Sequence, residues 1–166
     1  MTFANRFLRH LAMTPWTARR CFPEADLDAI QAEVAAGEKR HRGEVRFVVE
    51  AELTTAQLWG GMRARARAIQ VFSMLQVWNT EENTGILLYL LLADRNVEII
   101  ADRGIQAKVT EGEWRAICAQ MEEHFRANRF RDGAIAGVRA ASEPLAKHFP
   151  AGEANPNELP DRPVVM

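Results

Sequence analysis

The sequence predicts an α/β domain built around a buried β-hairpin at about Thr84 to Ala101. Three observations carry this expectation. Thr84 to Leu92 is a nearly continuous apolar run, the pattern of a strand covered on both faces. Ala93, Asp94, Arg95 and Asn96 supply turn chemistry, and Val97 to Ala101 returns with Val97, Ile99 and Ala101 on one side and Glu98 on the other. A strand covered on both faces needs helices on either side, and the segments around the hairpin have helical periodicity.

The chain has 166 residues, 48% apolar and 26% charged, with a formal net charge of -1. That composition fits one globular domain burying roughly 70% of its unfolded surface, and it gives no overall preference for nucleic acid. Cys21 and Cys118 are far apart and read as free thiols of a reducing compartment. The longest apolar run, Ile86 to Ala93, falls short of the about 20 residues that span a bilayer, so no transmembrane segment is expected.

Residues 1–22 read as a basic arm or helix. Arg6, Arg9, Arg19 and Arg20 stand there without an acid, and Phe3, Phe7, Leu8 and Leu11 suit an apolar face. Packing on the domain is the first reading and a membrane-surface helix the alternative; without a signal-peptide pattern the location expected is cytoplasmic, including peripheral to the membrane. Residues 23–150 form the domain proper. Pro23, Glu24, Asp26 and Asp28 open a helix whose inner stripe is Leu27, Ile30 and Val34. Glu44 to Glu50 alternates as a strand with one wetter face. Leu58, Met62, Ile69, Phe72 and Leu75 space a helix from about Thr55 to Trp78, although Gly60 and Gly61 weaken its start. Arg65 points away from Arg63 and Arg67 on that helix, so the three read as solvated or paired charges.

Thr110 and Glu113 have capping-box spacing, and Trp114, Ile117, Cys118, Met121 and Phe125 follow on one helical face, which makes Cys118 a core residue. A last helix over about Asp132 to His148 is expected to kink or restart at Pro144. Residues 151–166 read as an extended tail.

Catalytic signatures are sparse. Ser73 and Ser142 lie in no nucleophile elbow, no phosphate-binding glycine loop exists, and His10, His41, His124 and His148 never pair at metal-ligand spacing. Asp26 and Asp28 are explained as first-turn acids. Ala-Asp-Arg occurs at both Ala93–Arg95 and Ala101–Arg103. If Ala93 pairs with Asn96, Asp94 and Asp102 lie roughly 25 Å apart along the hairpin at ~3.3 Å per residue, so one site cannot use both. Asp94 and Arg95 are therefore assigned to a structural turn. The catalytic residue, if any, is unknown.

The hairpin's open end gathers oxygen donors instead. Glu81, Glu82 and Asn83 on the entering loop and Asp102 on the leaving one are of the types that Ca²⁺ or Mg²⁺ accepts, and Arg103 suits a phosphate or an ion pair with Glu82. A solvated acidic loop with a surface ion pair is the alternative.

From Trp78 to Ile105 the chain resembles the TPM-domain family, named for a thylakoid-lumen protein, a photosystem II repair protein and a nematode acetylcholine-receptor modulator. The resemblance rests on the acidic loop Glu81, Glu82, Asn83, Thr84, Gly85, the strand Ile86 to Leu92, Asp94-Arg95, the strand Val97 to Ala101, and Gly104-Ile105. Weaker similarity covers about Glu24 to Phe149. The chain looks like a short, soluble, bacterial-like member.

The resemblance implies a three-layer α/β/α sandwich with a short mixed sheet, and a divalent-ion site at the loops Glu81 to Asn83 and Asp102 to Gly104. It implies acid phosphatase activity, attributed to a plant member, or an auxiliary role beside a protein partner, including a membrane-associated one. Asp102-Arg103-Gly104-Ile105-Gln106 replaces the family's frequent Gly-x-Gly-Leu-Glu, and Thr110 replaces a common downstream Asp, which argues against phosphatase chemistry. Three readings result: a non-enzymatic ion-binding or protein-interaction domain, with a metal-dependent phosphatase and a membrane-surface module as alternatives. Oligomeric state, partner and substrate stay open.

Overall fold

The computed structural model describes residues 3–152 and 155–166; residues 1, 2, 153 and 154, parts of the expected arm and tail, lie outside the described residues. At its centre are β1 (Val45–Glu50) and β2 (Ile86–Leu91), parallel neighbours in the register Val45 opposite Ile86 to Glu50 opposite Leu91. Every residue of both strands is buried. An antiparallel strand β3 (Asn96–Ala101) flanks β2, and β4 (Val164–Val165) lies parallel to β1 on the other side, giving the order β3-β2-β1-β4. The sheet is therefore short and mixed.

Side chains alternate between two apolar layers. Val45, Phe47, Val49, Ile86, Leu88 and Leu90 face α2 (Pro15–Cys21), α3 (Glu24–Glu38), α7 (Glu111–Arg126) and α8 (Phe130–His148). Val48, Leu87, Tyr89 and Leu91 face α4 (Thr55–Trp59) and α5 (Ala64–Met74), with Phe7 of α1 (Phe3–Ala12) and Leu159, Val164 and Met166 closing the edge. The three-layer α/β/α sandwich is thus realised.

Several expectations shift in detail. The hairpin pairs Leu91 with Asn96, two residues earlier than expected, which leaves residues 92–95 as the turn. Arg95 closes it in the left-handed region at φ 50, its N–H donating to Leu92 O at 3.0 Å. The single helix expected over 55–78 is two, because Gly60 caps α4 and Gly61 takes φ +72. A capping box of Thr54 and Gln57 starts α4. The last helix runs through Pro144 without restarting.

β1 has no wet face. Glu50, 6% exposed, is held by Arg67 through Nε and Nη2 at 2.8 to 3.0 Å and accepts the Tyr89 hydroxyl. Burial, reinforced by Glu50, pushes the Tyr89 hydroxyl upward from its ordinary range. Arg65 donates to Ile99 O at 2.6 Å and faces Glu98 at 3.5 Å. At the chain's end, Arg162 ties the terminal segment to Asp28 and Glu24 of α3.

Candidate functional site

The two loops at the hairpin's open end are joined through backbone. Asn83 sits at φ 56, and its carbonyl accepts the Gly104 N–H at 2.9 Å, while Asp102 N–H donates to Gly85 O at 2.8 Å. Thr80 Oγ1 accepts the Thr84 N–H at 2.9 Å and holds the entering loop closed. Gly104 is required at this contact: a Cβ there would lie 2.4 Å from Glu82 O and 2.6 Å from Asn83 O.

Four of the five expected site residues share this junction. Asp102 caps α6 (Arg103–Gln106), its Oδ1 accepting the Arg103 N–H at 2.7 Å. Arg103 donates from Nε to Asn83 Oδ1 at 3.0 Å. Glu82 pairs with Arg42 at 3.2 Å, not with Arg103. The Glu81 N–H donates to the Glu158 carboxylate at 2.9 Å, and Glu81 lines a cleft of about 140 Å³ with Arg42, Glu82 and Glu158.

Among the described residues six buried side-chain polar atoms lack a hydrogen-bond partner, and two of them, Glu82 Oε2 and Asp102 Oδ2, belong to this loop pair. An orphaned buried oxygen costs about 1–3 kcal/mol, more for a charged group. Such oxygens are of the type that a hard cation accepts. Among the described residues, however, no three His, Cys, Asp or Glu side chains gather as a metal-binding group. The oxygens these loops carry are those of the Glu82 and Asp102 carboxylates, Asn83 and neighbouring carbonyls.

The cysteines are ill suited to nucleophilic attack. Burial, with Glu98 and Glu122 adding, pushes the Cys118 thiol up to about 12, and burial raises Cys21 as well. His41, fully buried, is held near 4 by burial, and its Nδ1–H donates to Gly43 O at 3.0 Å. Ser142 donates to Val138 O at 2.9 Å on α8.

Two clusters were hidden from sequence reasoning. Asp94 is more than a turn residue, because Arg6, Arg9 and His10 of α1 converge on its carboxylate at 2.9, 3.0 and 3.2 Å. Burial would raise Asp94, but Arg6 and His10 outweigh it and hold it below its usual range. At the other edge, Glu44 accepts the Glu158 and Leu159 N–H groups at 3.0 and 3.3 Å and anchors the C-terminal segment. Burial and the neighbouring Glu44 push Glu38 up to about 9, and burial raises Glu44 too. No spacing in the sequence announces either cluster.

The TPM domain model matches residues 19–143. The BA42 protein of the psychrophilic bacterium Bizionia argentinensis is similar in structure, with a TM-score of 0.74, 27% identity, and coverage of 84% of this chain and 92% of that one. The N-terminal domain of a P. gingivalis protein is similar at a TM-score of 0.60 and 22% identity, over 81% of each chain. No curated protein matches the chain. With a match over most of its length and the same sheet and helix layers, the chain belongs to the TPM-domain family.

Proposed function

We propose that this TPM domain is a non-enzymatic module that holds a divalent cation, Ca²⁺ or Mg²⁺, between its 80–83 and 102–104 loops and presents the ordered loop pair to a protein partner. The observation that supports it most is the pair of orphaned oxygens, Glu82 Oε2 and Asp102 Oδ2, on loops already locked together at Gly104. A cation there would take both oxygens, with Asn83 Oδ1 or the Glu82 carbonyl as further donors. Arg103 and Arg42 already occupy Asn83 Oδ1 and Glu82 Oε1, so cation entry competes with two guanidinium groups, which predicts modest affinity. The loop backbone is fixed beforehand, so little ordering opposes binding. A partner in membrane-protein or envelope maintenance suits such an auxiliary domain.

The test is thermal stability with and without each ion. At 100 times Kd, binding adds about 2.7 kcal/mol, or roughly 5–10 °C for a chain of this size. Wild type is expected to shift and Glu82→Gln with Asp102→Asn is not; a flat response of wild type to both ions removes the cation from this reading.

Arg103, exposed at the same junction, favours a second reading as a metal-dependent phosphatase in which its guanidinium neutralises phosphoryl charge. Mg²⁺-dependent hydrolysis of p-nitrophenyl phosphate, lost in Glu82→Ala with Asp102→Ala, is its expected result. Turnover that survives the double variant contradicts it.

A further inference from the structure

The layer made by α1, α4 and α5 differs in charge from the layer across the sheet. Phe3–Ala12 and residues 53–80 contain no Asp or Glu, but carry Arg6, Arg9, Arg63, Arg65 and Arg67. In the opposite layer α3 carries Glu24, Asp26, Asp28, Glu33 and Glu38 and no base. Strand and turn carboxylates answer part of the positive charge: Glu50 takes Arg67, Glu98 takes Arg65, and Asp94 is shared by Arg6 and Arg9. Arg63 makes no salt bridge among the described residues. Positive charge is thus left over in a cleft of about 660 Å³ between α1 and the α4–α5 break, where Arg6, Arg9, Arg63 and Arg65 outnumber Asp94 and Glu98.

The same face leaves large apolar side chains uncovered. At about 100° per residue, Phe3, Phe7, Leu11 and Leu8 follow one another on a single stripe of α1. Only Phe7 is half-buried; Phe3, Leu8 and Leu11 are 48%, 63% and 56% exposed. Trp59 of α4, 72% exposed, extends the stripe, its ring 5.3 Å from Phe3 and 6.0 Å from Phe7. Exposed aromatic and leucine side chains beside Arg63, which has no salt bridge among the described residues, and the 42% exposed Arg9 form an interaction surface rather than scattered exposure.

We propose that this face docks on an anionic lipid surface, with Phe3, Leu8, Leu11 and Trp59 entering the headgroup region while Arg63 and Arg9 meet lipid phosphates. Charge complementarity names the occupant. Every base in this layer besides His10 is arginine, whose planar fork suits phosphate oxygens. Tryptophan and an amphipathic helix with arginines on its flank are suited to the membrane interface. The surface is separate from the 80–83 and 102–104 loops and does not depend on a cation there.

Flotation of the full chain with vesicles tests this. Binding is expected to vesicles of phosphatidylcholine mixed with phosphatidylglycerol at low salt, to weaken steeply towards about 0.5 M salt, and to be absent from pure phosphatidylcholine. Arg63→Glu should lower partitioning about tenfold or more. Leu8→Ala with Leu11→Ala should abolish it, and Trp59→Phe should remove the blue shift in emission that vesicles induce. The substituted side chains are exposed, and an unchanged melting temperature verifies folding. No flotation with anionic vesicles at low salt overturns the proposal, as does binding unaffected by Arg63→Glu and by the double leucine variant. A dimer that the leucine variant dissociates, without any vesicle binding, assigns the stripe to a second copy of the chain and likewise overturns it.

Discussion

His10 and Asp94, 84 positions apart in the chain, meet at 3.2 Å between Nε2 and Oδ1. The contact fixes the imidazole's protonation. Leu53 N–H donates to His10 Nδ1 at 3.0 Å, so that nitrogen carries no proton, and Nε2–H is the donor to Asp94. Burial holds His10 below its ordinary range against the pull of Asp94. The basic N-terminal helix is latched to the hairpin turn by a neutral histidine and two arginines.

Asp94→Asn weakens this latch. Asp94 is mostly buried, with a side-chain exposure of 12%, so its loss of charge should cost about 2–3 kcal/mol, lowering the melting temperature by roughly 4–12 °C. Limited trypsin digestion should then cut at Arg6 or Arg9 well before the rest of the domain. An uncut α1 with unchanged stability would show that Asp94 does not hold it.

Acid should destabilise the fold through two buried histidines. Because His10 is lowered, and His41 is held near 4, the unfolded chain takes up protons first as pH falls. The stability these two histidines contribute is complete above about pH 6.5 and declines below it. Melting curves between pH 7 and pH 5 should show the decline, reduced in His41→Asn once the variant's own offset is subtracted.

Glu38 gives the opposite slope. Its folded value, about 9, lies above its unfolded one, so its contribution is complete below the ordinary glutamate range of about 4.3 and is lost as pH rises towards 9. Glu38→Gln keeps an acceptor for the Val45 N–H, which Glu38 Oε1 now receives at 3.2 Å. The variant should melt a few degrees above wild type at pH 8 and lose that advantage near pH 4. Equal melting at both pH values would contradict the buried acid pair.

Gly104→Ala tests the junction of the two loops. Its Cβ would press on two backbone carbonyls, at 2.4 and 2.6 Å, which cannot move aside like a flexible side chain. The variant should lose about 1–3 kcal/mol, in the range of overpacked sites, and its response to Ca²⁺ and Mg²⁺. A wild-type response would separate the cation site from this junction.

The hairpin, the α/β layering and the Thr110 capping box were readable from the sequence because their signals are local: an apolar run, alternation, and a spacing of three. The hairpin register was missed by two residues, since Asp94 and Arg95 tolerate several turn geometries and only the left-handed Arg95 decides among them. What stayed hidden joins distant positions. Glu44 reaches Glu158 across 114 positions, and Arg67 neutralises Glu50 on a strand that alternation alone makes half wet. Two residues, Val164 and Val165, are too few to show alternation, so β4 could not be distinguished from a tail. At the loops the residue types were legible, but the division of labour was not: Arg103 turns to Asn83, Arg42 takes Glu82, and Glu158 takes the Glu81 N–H.

The most direct measurement is a crystal structure of the chain grown with Ca²⁺, read by anomalous difference density between the 80–83 and 102–104 loops. The proposed cation predicts a peak there with Glu82 Oε2 and Asp102 Oδ2 at about 2.3–2.6 Å and Arg103 released from Asn83. Loops unchanged from those described, with Arg103 still on Asn83 Oδ1 and no peak at saturating Ca²⁺, would contradict it.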